Sequence, residues 1–436
     1  MKRNLLYFVS CFVCVLCLSL FLHIDKQGVS FKMDSVNAAL PTYSITPTTK
    51  PLGNYGVGTA NYTSKTKHTY LLNSYMKKFE TTKGGTLVLT KGVYNLSNVV
   101  YIPSNVTVIL NDGVTIKKIY ATDVKGLNPA AYMLAFAPFS KRSAGASDRS
   151  KGIKEYAGTQ NSHIIGKGNA TINANGAASG NFKFNGIVFG HNKNCSVKNI
   201  NFIGKDGVSG HYMEVDATLD CVISGNNFSG GNTAGKEAIN LDTPDDLTKG
   251  FTAKWSSLDC TRNYRLNITN NKFSNMTVAI GTHAYSYGKP HKFTSIINNT
   301  FTNVNEKVIQ PMNWKNTTIT GNTFNGSVSK AVIHVRGIND LVIHDNTFNL
   351  TNNALVYHFR AGYHSSTTNV TLNKVHPVVN RIAEVAENTE RNKNYIINQN
   401  TYTGSYNKKI TLYENCAWSD TLNRYEDTSP VYWQLP

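Results

Sequence analysis

One short pattern recurs along this chain and limits what it can fold into: an aliphatic residue, an Asn three places on, and an aromatic residue two places after that. It reads Ile223-Asn226-Phe228, Ile268-Asn271-Phe273, Ile296-Asn299-Phe301, Ile319-Asn322-Phe324, Ile343-Asn346-Phe348 and Ile397-Asn400-Tyr402, with a weaker first copy at Val197-Ile200-Phe202. Successive aromatics lie 26, 45, 28, 23, 24 and 54 residues apart, so the unit is about 23–28 residues; 45 reads as one unit with an insertion and 54 as two units. A period in the twenties, with short β-branched segments and no helical pattern between copies, indicates a solenoid of stacked coils. The lattice of a leucine-rich repeat is absent.

In such a stack each Ile and Phe points inward and lies on its counterpart one coil away, at about 4.8 Å. The Asn falls at a bend between strands, where it can take left-handed backbone and bond to the next Asn in a ladder. The recurring string is therefore structural, and none of its Asn is a candidate catalyst. Composition agrees. The chain has 436 residues, 40% apolar and 16% charged, with 33 Gly, which suits a large core of strands and turns.

The remaining segments group around the solenoid. Lys2 and Arg3 precede an uncharged run over residues 5–24, and small residues follow at Val36-Asn37-Ala38, so 1–38 reads as a signal peptide or an N-terminal membrane anchor. Either places the rest outside the cytoplasm, secreted or at the cell surface. Residues 39–83 read as an extended linker and a helix, with Leu72, Met76 and Phe79 at helical spacing to cap the open end. The solenoid spans 84–404, and 405–436, with Tyr413, Trp418, Tyr432 and Trp433, forms a C-terminal cap. Residues 138–160 read as a basic loop projecting from a coil, and 243–264, with Trp255, as an insertion. Cys195, Cys221, Cys260 and Cys416 are too scattered for a disulfide framework.

The stretch GGTLVLTKGVYNLSNVVYIPSNVTVILNDGVTI, residues 84–116, resembles the opening coils of pectate-lyase-like proteins, and the N-x-F units resemble their later turns. The resemblance covers residues 84 to about 403. It implies an all-β fold, a single-stranded right-handed parallel β-helix, and a carbohydrate-active protein, without specifying the chemistry.

Alternation along the strands points to a site. In HYMEVDA, Met213 and Val215 go in and Tyr212, Glu214 and Asp216 face out; in KEAINLDTP, Asn240 and Asp242 face out. Later strands present His283, Gln310, His334 with Arg336, and His358 with Arg360. The registers agree independently: Asp216 to Asp242 is 26 residues, as is Phe202 to Phe228, and Arg336 to Arg360 is 24, as is Phe324 to Phe348. Positions two apart on a strand are about 6.7 Å apart and positions one coil apart about 4.8 Å. Glu214, Asp216 and Asp242 thus meet the carboxyl separations of glycoside hydrolysis, about 5–9.5 Å. Crowding raises the pKa of at least one of them, leaving a proton donor beside a base.

The candidate catalytic set is Asp242 and Asp216 as acid and base, assisted by Glu214 and His283. His211, Glu237, Asn240, Lys289, His334, Arg336, His358 and Arg360 are candidate substrate contacts, the cations for a carboxylate or sulfate. The order EAINLD, VAIGTH, VIHVRG resembles the site strands of polygalacturonase-type hydrolases, but lacks their paired Asp-Asp and their Arg-Ile-Lys string. Three readings remain open: a glycoside hydrolase without cofactor; a polysaccharide lyase with Glu214, Asp216 and Asp242 on Ca²⁺; and a non-catalytic surface module. The net charge of +18 favours an acidic polysaccharide outside the cytoplasm over nucleic acid. Nothing in the pattern calls for more than a monomer.

Overall fold

The computed structural model describes residues 23–25, 28–30, 39–232, 236–245, 251–283, 290–360, 393–419 and 424–434. The chain divides into two compact units, Met1–Leu40 and Pro41–Pro436. In the first, His23–Asp25 and Gly28–Ser30 pair antiparallel. Among the described residues no helix is long and apolar enough to cross a membrane; residues 5–22 of the apolar run lie outside them.

The second unit is a stack of coils. Strands bond in parallel to their counterparts one coil away, so the coil contributes to three sheets. The first sheet carries the repeated Ile: Ile223, Ile268, Ile296, Ile319, Ile343 and Ile397 are direct partners in turn. The second carries the aromatics, whose rings stack face to face at centroid distances of 4.7, 4.8, 5.0, 4.9, 4.7 and 5.2 Å from Phe202 to Tyr402. The third, which includes Tyr132–Phe136, Phe184–Lys193, Gly210–Ser224 and Glu237–Asp242, carries the candidate site. One continuous apolar core runs inside the coils.

The Asn ladder forms as expected. Nδ2 of Asn226, Asn271, Asn299, Asn322 and Asn346 each donates to Oδ1 of the next at 2.9–3.0 Å. Each amide also reaches back to a main-chain carbonyl, Val197 for Asn226 at 3.0 Å, and Ile223 for Asn271 and Ile268 for Asn299, both at 2.9 Å. The left-handed residue, however, is the one just before the ladder Asn: Gly225, Asn270, Asn298, Gly321, Asp345 and Gln399 have φ between 52° and 68°. That leaves the ladder Asn in ordinary backbone with its side chain aimed along the stack.

Two spacings resolve differently from expectation or in more detail. The 54-residue interval is one coil, because Ile343 pairs directly with Ile397; the extra length lies in an insertion that includes residues 361–392, outside the described residues. The insertion after Asp242 accounts for the 45-residue interval, since Ile223 pairs with Ile268. Nor does the basic loop project. Ile153 N–H donates to the Trp255 carbonyl at 2.7 Å, Gly145 N–H to Lys254 at 2.8 Å, and Arg149 Nη1 to the Ala253 carbonyl at 2.8 Å. The two insertions hold each other by main-chain hydrogen bonds that neither could satisfy alone.

The helix Lys67–Thr82 is longer than its apolar spacing implied and buries Leu71, Leu72, Tyr75, Met76 and Phe79 in the main core. It stops at Lys83, left-handed at φ 58°. Thr42–Ile45 adds a parallel strand to Gly85–Leu89. At the other end Lys409–Ser419 continues the third sheet and pairs antiparallel with Arg424–Gln434. Cys195, Cys221 and Cys260 are buried.

Replacing a mid-ladder amide strands donors and acceptors in several coils at once. Asn299→Ala removes the acceptor of the Asn271 N–H and Nδ2 and a donor to Asn322 and to Ile268. The expected cost is about 3–5 kcal/mol, read as a lower denaturation midpoint with an unchanged slope.

Candidate functional site

Strand registry builds two rows on the outer face of the third sheet. Met213, Val215, Ile239 and Leu241 lie in the main core, so Glu214, Asp216, Asn240 and Asp242 point away from it. In one row Val188, Glu214, Asn240, Gly281 and Gln310 follow each other coil by coil. In the other, Gly190 precedes Asp216 and Asp242, and further on Met312 precedes Arg336 and Arg360. The predicted pairings Asp216 on Asp242, Arg336 on Arg360 and His334 on His358 all occur. Tyr212 is a correction. It turns inward beside Phe202 and Phe228, and its hydroxyl donates to the Ser229 carbonyl at 2.6 Å.

The acids face outward but not into water. Glu214 is 3% exposed, Glu237 1%, and Asp216 and Asp242 0%. The interlocked insertions explain part of this cover. Phe251, Ala253, Trp255 and Ile153 form a second apolar cluster with the outward-facing Ala135, Ala137 and Val188. Gly190, next to Asp216 in register, admits it: a Cβ there would stand 2.5 Å from Phe251 Cζ. Alternation predicts direction from the coil axis; it carries no information about what a distant segment lays on top.

Inside this cover the carboxyls are unequal. Asn240 Nδ2 donates to Glu214 Oε1 at 2.7 Å and to Asp242 Oδ2 at 2.9 Å, and the His283 N–H donates to Asp242 Oδ1 at 3.2 Å. Both oxygens of Asp216 are buried without a hydrogen-bond donor. Burial raises Glu214 and Asp216 well above the usual carboxylate range. The charge of Asp242 adds to the rise at Glu214, and those of Glu214, Asp242 and Asp245 to that at Asp216. A proton on either lets the two share a carboxyl–carboxyl hydrogen bond. Glu237 is raised to about 7, by burial and then by Asp242.

The histidines do not neutralise them. His211, within 3.6 Å of Glu237 and 3.8 Å of Glu214, is pushed well below its usual value by burial and then by Lys205, so its ring is neutral. His283 sits at the edge, 42% exposed, with Nε2 accepting from Lys236 Nζ at 3.0 Å. Ala217, just after Asp216, holds left-handed backbone at φ 43°, a conformation costly for a residue with a Cβ.

The far end of the stripe is basic. His334 and His358 stack edge to face at 4.8 Å, beside Arg336, Arg360 and Lys307. Burial and then these cations hold His334 well below its usual value. Lys289 lies outside the described residues. Lys236, Asp245, Asn185, Tyr132 and Trp255 also join the site, though only Trp255 stood out in the sequence. Among the described residues no group of three or more His, Cys, Asp and Glu side chains is arranged to hold a metal ion. Where the lyase reading puts Ca²⁺, the donors of Asn240 lie between Glu214 and Asp242.

No protein-family model matches the chain, and no curated protein matches it. Solved structures do. A crystal structure of PfbA, a surface adhesin of Streptococcus pneumoniae, superposes with a TM-score of 0.58 at 18% identity over 83% of this chain and 80% of that one. A second PfbA structure gives 0.52 at 18% identity, over 72% and 80%. The fold is a right-handed parallel β-helix. A tailspike protein of an E. coli bacteriophage, in complex with a hexasaccharide, gives 0.46 at 13% identity, over 78% and 64%. The β-helix places the acids and the later His and Arg residues on one face, and the interlocked insertions supply part of the cover over the acids.

Glu237 offers a direct check on that burial. Its folded value, about 7, exceeds its unfolded value near 4.5, so the protonated form contributes stability that is complete below about 4.5 and lost as pH rises through about 7. Glu237→Gln removes the loss. Its melting temperature should exceed that of the unaltered protein by more at about pH 8 than at about pH 5, as followed by circular dichroism.

Proposed function

We propose that this protein is an exported β-helix that processes a polysaccharide outside the cytoplasm, hydrolysing glycosidic bonds with the carboxyl cluster of its third sheet. One observation carries the reading. Glu214, Asp216, Glu237 and Asp242 are buried close together, and Asp216 has no partner among the neighbouring N–H and hydroxyl groups, only the adjacent carboxyl of Glu214. Unpaired buried acids cost folding energy, and a scaffold gains nothing from them.

The roles follow from the hydrogen bonds. Donors stabilise a carboxylate, so Asp242, held by Asn240 and the His283 main chain, is the member that ionises and acts as base. Asp216, without donors and beside other acids, keeps its proton and acts as general acid. Glu214 shares that proton, and the edge residue His283 exchanges it with solvent. The insertions 138–160 and 251–264 have to part for a sugar chain to reach the acids. His334, Arg336, His358 and Arg360 hold an anionic substituent further along the chain. In this reading the helix Lys67–Thr82 closes the N-terminal end of the coil, and residues 1–38 direct export or anchor the chain.

The burial of the acids favours a second reading, a surface module that grips anionic glycans through its basic half. PfbA, with the same fold, is described as a surface adhesin.

A panel of neutral and acidic polysaccharides separates the two. Hydrolysis releases new reducing ends without an unsaturated, ultraviolet-absorbing product. Asp242→Asn and Asp216→Asn should each slow it about 10²–10⁴-fold with the circular dichroism spectrum unchanged. Full activity in Asp242→Asn excludes its role. No new reducing ends, with glycan retention that weakens as salt rises, supports the surface module.

A further inference from the structure

Away from the acids, a cavity of about 340 Å³ opens between the helix Lys67–Thr82, residues 98–101 of an early coil and the turn at 139–142. Its walls include the rings of Tyr55, Tyr70, Tyr101 and Phe139, with Asn98 and Arg142. The helix already packs on the core through Leu72, Met76 and Phe79, so these rings, all partly exposed, are not needed to hold it. Interiors leave few voids larger than a water molecule, and this volume lies within the range of ligand sites, about 300–1,000 Å³.

The charges narrow what fits. Lys77 Nζ lies 4.2 Å from the centroid of Tyr55 and 5.3 Å from that of Phe139, and the Arg142 guanidinium 4.2 Å from that of Phe139. Burial raises the phenols of Tyr55 and Tyr101, and the Arg142 charge draws both back, so the guanidinium is within electrostatic reach of each. Two cations on the ring faces repel a third, which excludes a quaternary ammonium ligand. A purely apolar ligand leaves the charges of Lys77 and Arg142 without a counter-charge; Asn98 is already held by the Ser97 hydroxyl and the Asn128 carbonyl, and Arg142 Nη1 donates to the Phe139 carbonyl at 2.9 Å. A sugar ring meets both demands: its C–H face stacks on the aromatics, and a carboxylate or sulfate meets Lys77 and Arg142.

An aromatic row links this cavity to the acids. Phe139 contacts Tyr101 at 5.8 Å, Tyr101 contacts Trp255 at 6.1 Å, and Trp255 contacts Tyr132 at 5.9 Å. The Tyr132 phenol is pushed up by burial and then by the charges of Glu214 and Asp216. We infer that the cavity walled by Tyr55, Tyr70, Tyr101 and Phe139 is an accessory subsite for an anionic sugar unit, carboxylated or sulfated, of the chain that reaches the acid cluster. The link to that chain rests on the proposed polysaccharide function; the subsite itself requires no turnover.

Calorimetric titration of the full protein with hexuronate and sulfated oligosaccharides, and with their carboxyl-reduced or desulfated counterparts, tests it. The anionic probes should bind and the neutral ones bind far more weakly. Arg142→Gln, at an exposed position, and Tyr55→Ala should each lower anionic affinity about tenfold with unchanged melting temperature. Equal affinity in the unaltered protein and both variants, or no preference for the anionic probes, overturns the subsite. Anionic binding that depends on Tyr55 and Arg142, without new reducing ends, keeps the subsite and removes the hydrolase. Release of reducing ends with unchanged affinity in both variants does the reverse.

Discussion

Coil-over-coil stacking of identical groups is the interaction on which the rest of this molecule depends. A buried amide has two donors and one acceptor to satisfy, and the ladder from Asn226 to Asn400 satisfies them with the amide and main chain of neighbouring coils. Slipping one coil by a residue would break the ladder, unstack the phenylalanines and turn the Ile column outward together. Length can therefore be inserted only at corners. The chain does so after Asp242 and after Arg360, and the columns on either side stay in step.

That rigidity is what lets side chains far apart in sequence act as one group. Asp216 and Asp242, and Arg336 and Arg360, face their counterparts one coil away because the Phe and Ile columns do. The stripe is electrically polar, acids on the earlier coils and His and Arg on the later ones, with Gly281 and Gln310 between. The acid half is also buried. Its carboxyls are distinguished chiefly by Asn240 and the His283 main chain, which support Asp242 and leave Asp216 bare.

The two insertions shape the candidate site as much as the coils do. By bonding to each other they lay Trp255 and Phe251 over the sheet and extend a row of aromatic rings from Tyr132 toward the N-terminal helix. The result joins acids, ring faces and cations along one flank. A glycan presents complements to all three: acetal oxygens, C–H faces and anionic substituents.

The sequence alone determined the stacked-coil architecture, the identity of the Ile, Asn and aromatic columns, and the pairings of the acids and of the arginines. These follow from a repeat that is local, and a period read in numbers becomes a register in space. What only the tertiary structure decided depends on contacts between segments far apart in the chain. Tyr212 turns inward to pack beside Phe202 and Phe228, where its hydroxyl donates to the Ser229 carbonyl. The left-handed residue precedes each ladder Asn because the amide must lie along the stack. The interval of 54 is one coil because Ile343 finds Ile397. Glu214 and Asp216 are raised because they are buried, in part under Phe251, Trp255 and Ile153 of the two insertions, and alternation along a strand fixes which way a side chain points but not what covers it.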